Sequence, residues 1–138
     1  MTQPGARVVR EAVVDHRLRR HALVDAVRRG ARPADEVRDA PRELLRAAAH
    51  LGLAAGEPCP VCGADALVVV AFVEEPGERE RSGGRAVAAD AVETLANRRG
   101  SVTLHEVEVC RGCAWHHLRT TSRVRAVPPG ANATANGA

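Results

Sequence analysis

The chain has 138 residues and a net charge of +3, with 45% apolar and 27% charged side chains. This profile predicts one soluble globular domain, and no apolar run approaches the roughly 20 residues that cross a bilayer, so no membrane contact is expected. The first 30 residues mix arginine with acidic residues and lack the apolar core of a signal peptide, which predicts a cytoplasmic protein.

The hydrophobic core must be built mainly from small aliphatic side chains. Phe72 and Trp115 are the aromatic residues of the chain. Valine, leucine and alanine each bury modest area, at about 25 cal/mol per Å². A small domain with such a core usually needs disulfides in an oxidising compartment or a metal in a reducing one. The four cysteines are therefore the first functional candidates.

The N-terminal half is predicted to be helical. Residues 1–14 contain proline and glycine, show no clear period, and are interpreted as a loose lead-in. Apolar spacing, a capping residue at Asp15 and glycines at the ends predict helices at 15–29, 34–38 and 41–51. The helical segment is thus expected to span 15–56, and the glycine-containing stretch 52–58 is the best internal boundary.

The C-terminal half is predicted to contain three strands and one helix. Valine-rich or alternating segments predict strands at 67–73, 101–109 and 115–125, and an apolar stripe predicts a helix at about 88–99. Glycines and charges at 74–85 predict a mobile loop. Residues 128–138 have nothing to bury and are expected to be disordered. The fold class is therefore α+β, with the helical segment packed on a second domain, 57–127.

Two Cys-x-x-Cys pairs carry the strongest signal. Cys59 and Cys62 lie in Cys-Pro-Val-Cys-Gly, and Cys110 and Cys113 lie in Cys-Arg-Gly-Cys-Ala. A two-residue spacer lets one tight turn present both sulfurs to a tetrahedral Zn²⁺, while backbone N–H groups point at the thiolates. Gly63 and Gly112 are expected to supply left-handed backbone positions in these turns. The spacing predicts one structural zinc held by all four cysteines, within a zinc-ribbon-like antiparallel sheet of about three strands and one inserted helix.

Other uses of these cysteines remain open. A thioredoxin-like redox pair needs its motif before a helix N-terminus, whereas Cys62 leads into a predicted strand. Two disulfides would require an oxidising compartment. A zinc deaminase would require His-x-Glu upstream of Pro58-Cys59, and His50 is followed by Leu51 and Gly52.

The sequence resembles a known family in three places. These are residues 36–48, the Cys-Pro-Val-Cys motif, and the stretch Val107-Glu108-Val109-Cys110-Arg111-Gly112-Cys113-Ala114-Trp115-His116-His117-Leu118. The family is the actinobacterial domain-of-unknown-function family 5318, and the resemblance spans about residues 13–125. It implies a zinc-ribbon-like core and an actinobacterial source, and it implies no activity. The family pattern has asparagine where this chain has His116.

Charge is segregated along the chain. Residues 1–32 hold eight arginines against three acids, and residues 110–138 hold four arginines and no acid, whereas the middle of the chain is acidic. One interpretation is a phosphate- or partner-contacting face, and the other is that the basic ends neutralise the acidic middle. The candidate contact residues are Arg111, Arg119, Arg123, Arg125, Arg17, Arg20 and Arg28.

Trp115 and His117 are expected beside the zinc site, with His117 donating a hydrogen bond near the metal or packing at the sheet edge. No motif of a known catalytic class occurs, so we expect no enzyme and infer no small-molecule substrate. The sequence favours a non-catalytic zinc module that docks as an adaptor on a larger protein or nucleoprotein machine, such as the transcription or translation apparatus. The alternatives are a direct nucleic-acid-binding protein and a thiol redox protein.

Overall fold

A computed structural model describes residues 7–77 and 84–127. The predicted tail at 128–138 and the centre of the predicted loop at 74–85 lie outside these residues. The elements in chain order are β1 (Arg7–Asp15), α1 (Arg17–Arg28), a 3-10 turn (Ala34–Glu36), α2 (Arg42–Leu51), β2 (Leu53–Ala54), β3 (Leu67–Glu74), β4 (Arg85–Val87), α3 (Ala91–Arg99), β5 (Ser101–Cys110) and β6 (His116–Val127).

The strands form one antiparallel sheet in the order β1-β6-β5-β3-β2. Strand β4 also pairs with β3, where Ala71 lies opposite Val87, while β2 pairs with the other end of β3, where Leu53 lies opposite Val69. The long pairings join β5 to β3 and to β6. The α+β class is confirmed, but the described residues contain six strands rather than about three.

The difference at the N-terminus has a physical cause. The expected loose lead-in instead contributes β1, which pairs with β6 from Arg7 opposite Val127 to Asp15 opposite Thr120. The pairing shifts register between Glu11 and Val14, and Ala12 has a φ of 52° there. This bulge interrupts the alternation of apolar and polar residues by which a strand is identified from sequence.

Helices cover both faces of the sheet. We call the side that holds Ala71, Val73, Leu104 and Val124 the α3 face, because these residues pack against Val92, Leu95 and Ala96 of α3. On the opposite side, the α2 face, Leu44, Leu45 and Ala48 of α2 pack against Val70 and Val109. The predicted helical segment therefore does not pack on the sheet as one layer: α1 packs by Val24 near Leu67, on the α3 face.

None of the helices in the described part of the chain combines the length and apolar character needed to cross a membrane.

Candidate metal centre and its surroundings

The strand pairing brings the two cysteine turns together. The first turn precedes β3 and the second joins β5 to β6, and Leu67 at the start of β3 lies opposite Cys110 at the end of β5. The N–H of Arg111 donates to the carbonyl of Ala66 at 2.9 Å and fastens one turn to the other. A separation of 47 residues in sequence is thereby closed in space.

The four sulfur atoms lie within 4.8 Å of one another. The Sγ atoms of Cys59 and Cys113 are 3.8 Å apart, and those of Cys62 and Cys110 are 3.7 Å apart. Sulfurs about 2.3 Å from a tetrahedral ion are separated by about 3.8 Å, so these positions fit one metal ion. The same separations greatly exceed a disulfide bond of about 2.05 Å, and all four cysteines are free.

Backbone N–H groups point at the cysteine sulfurs. Cys59 Sγ accepts from Val61 and Cys62 at 3.4 Å, and Cys62 Sγ accepts from Ala64 at 3.4 Å. In the second turn, Cys110 Sγ accepts from Gly112 at 3.3 Å and from Cys113 at 3.4 Å. Such donors stabilise thiolates, and thiolates are the form in which cysteine binds a metal.

The turns use a left-handed residue at equivalent positions, directly after the second cysteine of each pair. Gly63 has a φ of 79°, as expected, but the corresponding residue of the second turn is Ala114, with a φ of 72°. The expectation for Gly112 is wrong, because its φ is not positive. A Cβ at Gly112 would lie 3.6 Å from Ala64 Cβ and 3.6 Å from Cys110 Sγ, in ordinary contact.

Solvent exposure and thiol pKa differ among the four cysteines. Cys59 and Cys110 are buried, Cys113 is half-buried and Cys62 is exposed. Burial raises the pKa of the Cys59 and Cys113 thiols, whereas the N–H of Ala64 lowers the pKa of the Cys62 thiol. Arg38 has a raised pKa because it bonds to Asp35 and, to a smaller extent, because the Cys113 and Cys62 thiolates attract its guanidinium. Arg38 was not among the residues singled out from the sequence.

Trp115 lies fully buried in the same apolar cluster as Cys59 and Cys110. Its Nε1 donates to Glu108 Oε2 at 2.6 Å. The ring of His117 stacks on Trp115 with a centroid distance of 5.8 Å and an interplanar angle of 14°. Nδ1 of His117 lies 2.7 Å from the Leu118 carbonyl oxygen, and burial lowers the pKa of the His117 ring. Trp115 thus connects the cysteine cluster to a buried carboxylate, and His117 packs on its ring.

Glu108 is the centre of a buried ion network that sequence reasoning missed. Its Oε1 accepts from Arg20 Nε at 2.6 Å and from Arg119 Nε at 2.7 Å, and its side chain is fully buried. Burial alone would raise the pKa of Glu108, but the bonds from Arg20, Arg119 and Trp115 outweigh it and hold the pKa below its usual value. The one sequence feature that pointed to this network was an acidic residue, Glu108, between Val107 and Val109 in a segment expected to be a strand.

The predicted contact arginines do not form one face. Arg20 and Arg119 point to Glu108 on the α3 face, and Arg119 also binds Glu57 at 2.7 Å. Arg123 and Arg125 alternate with the buried Val124 and so lie on the α2 face.

Most of the remaining arginines also have partners. Glu11 Oε atoms lie 3.8 Å from Arg123 and 3.2 Å from Arg125. Arg17 binds Asp15 at 2.7 Å, and Arg28 donates to the Pro60 carbonyl at 3.0 Å. Arg111 is exposed in the second turn. His116, the other histidine that follows the second turn, has its Nε2 3.1 Å from an oxygen of Asp39.

The model of DUF5318, a family of unknown function, matches residues 7–135. Uncharacterized protein Rv0049 of Mycobacterium tuberculosis (strain ATCC 25618 / H37Rv) is 39% identical over 106 residues, which cover 76% of each chain. Uncharacterized protein Mb0050 of Mycobacterium bovis is similar to the same extent, 39% over 106 residues. No solved structure matches significantly. The chain belongs to the DUF5318 family, and the actinobacterial resemblance is confirmed.

Proposed function

We propose that this member of the DUF5318 family is a non-catalytic zinc module that acts as an adaptor, docking on a larger protein or nucleoprotein assembly of the transcription or translation apparatus. The observation that carries the proposal is the convergence of four cysteine sulfurs within 4.8 Å. Soft thiolate ligands in a tetrahedral arrangement select Zn²⁺ among the common divalent ions.

A structural role for the zinc follows from the number of ligands. Catalytic zinc sites keep a position open for water or substrate, whereas structural sites fill all four positions with protein ligands. Cys59, Cys62, Cys110 and Cys113 would fill the tetrahedron. The ion would hold the start of β3 to the β5–β6 turn, which compensates for the small apolar core.

Metal analysis of protein purified under reducing conditions tests the site. We expect one zinc per chain, and we expect Cys110→Ser to lose the metal and to unfold at least the residues around the two turns. Arg111→Ala is the matched control, because Arg111 lies in the same turn, is exposed, and supplies no ligand. A stoichiometry near zero, with all four thiols titrating freely in folded protein, would contradict the proposal.

A protein partner is favoured over direct nucleic-acid binding by the state of the arginines. Arg20 and Arg119 are bonded to a buried carboxylate, and Arg123 and Arg125 share Glu11, so these four guanidinium groups are already partly neutralised. Phosphate binding depends on unpaired positive charge and weakens with salt.

Fluorescence anisotropy with labelled duplex DNA and structured RNA at about 50 mM salt tests this preference. We expect no binding under these conditions. Binding whose salt dependence is reduced by Arg123→Ala and Arg125→Ala together, both outside the buried Glu108 network, would establish the nucleic-acid alternative instead.

A further inference from the structure

An open groove runs along the α2 face, beside α2. Leu44 and Ala47 of α2 form one wall, and Phe72, Val107 and Leu118 of three neighbouring strands form the floor. The groove has a volume of about 690 Å³. It lies on the sheet face opposite α3 and does not include any of the four cysteines, so it is separate from the metal centre.

The groove marks an incomplete helix layer. On this face α2 contacts β3, β4 and β5, and beside it the groove floor extends over Phe72 of β3, Val107 of β5 and Leu118 of β6. These three neighbouring strands span about 10 Å, since adjacent strands lie about 4.8 Å apart. This width matches the diameter of one α-helix, about 10 Å, so a second helix beside α2 would cover the floor residues that α2 leaves half-buried.

The two histidines at the groove already have hydrogen-bond partners within the chain. His105 places Nε2 2.6 Å from Glu74 and Nδ1 3.0 Å from the Thr121 hydroxyl, so both ring nitrogens are already engaged. At the other end, His116 is engaged with Asp39. The histidines therefore shape the rim, and the apolar floor provides the main contact area.

The rim is acidic although the chain as a whole is basic. Glu43 and Glu74 line the groove, Asp39 stands behind His116, and Arg85 is the one arginine among the described residues of the lining. The Arg85 guanidinium is itself 2.5 Å from a Glu75 carboxylate oxygen. An occupant with aliphatic side chains flanked by positive charge would complement both the floor and the rim.

We propose that this groove docks a basic amphipathic helix of a partner protein, which completes the helix layer beside α2. The inference rests on the proposed adaptor function and specifies its docking surface. Leucine-like side chains at helical spacing would lie on Phe72, Val107 and Leu118, and lysine or arginine at the flanks would face Glu43 and Glu74.

The test uses a synthetic helical peptide of about five turns, with leucine at helical a and d spacing and lysine elsewhere. A second peptide carries glutamate at every lysine position. Both are titrated into zinc-loaded full-length protein at about 150 mM salt, and binding is followed by amide chemical shifts and fluorescence anisotropy. We expect the lysine peptide to shift the amides of Ala47, Val107 and Leu118, and the glutamate peptide to leave them unchanged.

Glu43→Lys and Glu93→Lys form a matched pair of variants. Both glutamates are exposed in the first turn of their helices, but Glu43 lies at the groove and Glu93 lies on α3, on the opposite face. We expect Glu43→Lys to weaken the lysine peptide about fivefold and Glu93→Lys to have little effect, because exposed charges act mainly over short distances at this salt.

Several outcomes would overturn the inference. Peptide-induced amide shifts outside the groove, or equal affinity for the lysine and glutamate peptides, would contradict it. Equal weakening of lysine-peptide binding by Glu43→Lys and Glu93→Lys would also contradict it. Concentration-dependent amide shifts in protein without peptide would show that a second copy of the chain fills the groove instead. A zinc-loaded protein that does not bind the peptide overturns this inference alone. A chain that binds no zinc overturns the proposed metal site instead.

Discussion

Arg20 of α1 donates from Nε to Glu108 Oε1 of β5 at 2.6 Å, across 88 positions of sequence. The carboxylate is fully buried, and one nitrogen of the same arginine, Nη2, is buried without a hydrogen-bond partner among the described residues. The pair attaches α1 to the sheet next to the four-cysteine cluster. The local structure therefore depends on a charged contact as well as on apolar packing.

Glu108→Ala should strongly destabilise the fold. It would leave the guanidinium groups of Arg20 and Arg119 without their shared buried partner, and removal of one member of such a buried network costs about 3–5 kcal/mol. Chemical denaturation of the zinc-loaded protein measures the free energy of unfolding. Glu57→Ala is the control, because Glu57 is half-exposed where it binds Arg119 and should cost less than about 1 kcal/mol. Equal effects of the two substitutions would contradict the buried network.

Gly63→Ala should lower the free energy of unfolding by about 1 kcal/mol, because the alanine side chain is sterically strained at positive φ. Apart from the adjacent Cys62 and Ala64, no atom of the described residues lies within 4 Å of the added methyl group, so the backbone conformation accounts for the cost. Gly112→Ala in the other turn should change stability by less than about 0.5 kcal/mol, because its backbone is not left-handed and its contacts are ordinary. Thermal denaturation of the zinc-loaded variants measures both effects. A larger loss of stability for Gly112→Ala than for Gly63→Ala would contradict these turn conformations.

The pKa of Asp15 should lie well below the ordinary value for an aspartate. Its Oδ1 accepts the N–H of Arg17 at 2.9 Å, and the Arg17 guanidinium binds both oxygens, which together lower the pKa of Asp15 from 3.8 to about 2. A lowered pKa in the folded state stabilises the protein above the unfolded value of 3.8, and this contribution disappears as the pH falls through about 2.

NMR of the Asp15 side-chain carbon follows its protonation over the acid range in which zinc stays bound, since protons displace a metal from thiolates. Arg17→Ala should move the onset of protonation to higher pH, because the pKa returns toward 3.8. Asp15→Asn should lower the melting temperature at neutral pH, and the difference from the natural chain should not grow as the pH is lowered within this range. A difference that grows on acidification would have the wrong sign for this pair.

Metal removal should expose all four cysteines together. Thiolates bound to zinc and shielded by backbone N–H groups react slowly with mild alkylating agents, and a chelator should accelerate all four reactions at once. The buried Trp115 provides a second readout, since its emission should shift to the red when the centre opens. Apparent zinc binding energies of about 10–16 kcal/mol make extensive unfolding the expected result. A single fast thiol, Cys59 or Cys62, in zinc-loaded protein would indicate redox chemistry.

The clustering of the cysteines could be predicted because a two-residue spacer within each pair is the spacing by which cysteines commonly share one ion. Strands β3, β5 and β6 and the α-helices of the described residues could be predicted because each carries an apolar period or run, whereas the helix predicted at 34–38 is only a short 3-10 turn. Strands β2 and β4 could not, since they contain two and three residues and exist only through pairing with β3. Ala114 shows the same limit, because a non-glycine residue carries no sequence signal for positive φ.

The ion-pair partners of charged residues cannot be predicted from the sequence pattern alone. Arg20 and Arg119 resembled a solvent-exposed basic face in sequence, but both are directed at Glu108, which lies on a different element from Arg20. Pairing between residues so far apart depends on the sheet register, which places β5 against β6. Net charge along the chain describes the average field and does not identify the partner of any one guanidinium.

The pairing of β1 with β6 has a consequence for the order in which the protein folds during synthesis. Residues 7–15 leave the ribosome first, but their partner strand is made only when the chain reaches residue 127. Until then residues 7–15 have no partner strand, and both cysteine turns are already made before β1 can pair. Contacts between such distant positions slow folding, so on refolding with zinc the four thiols should become protected from alkylation before residues 7–15 become protected from protease.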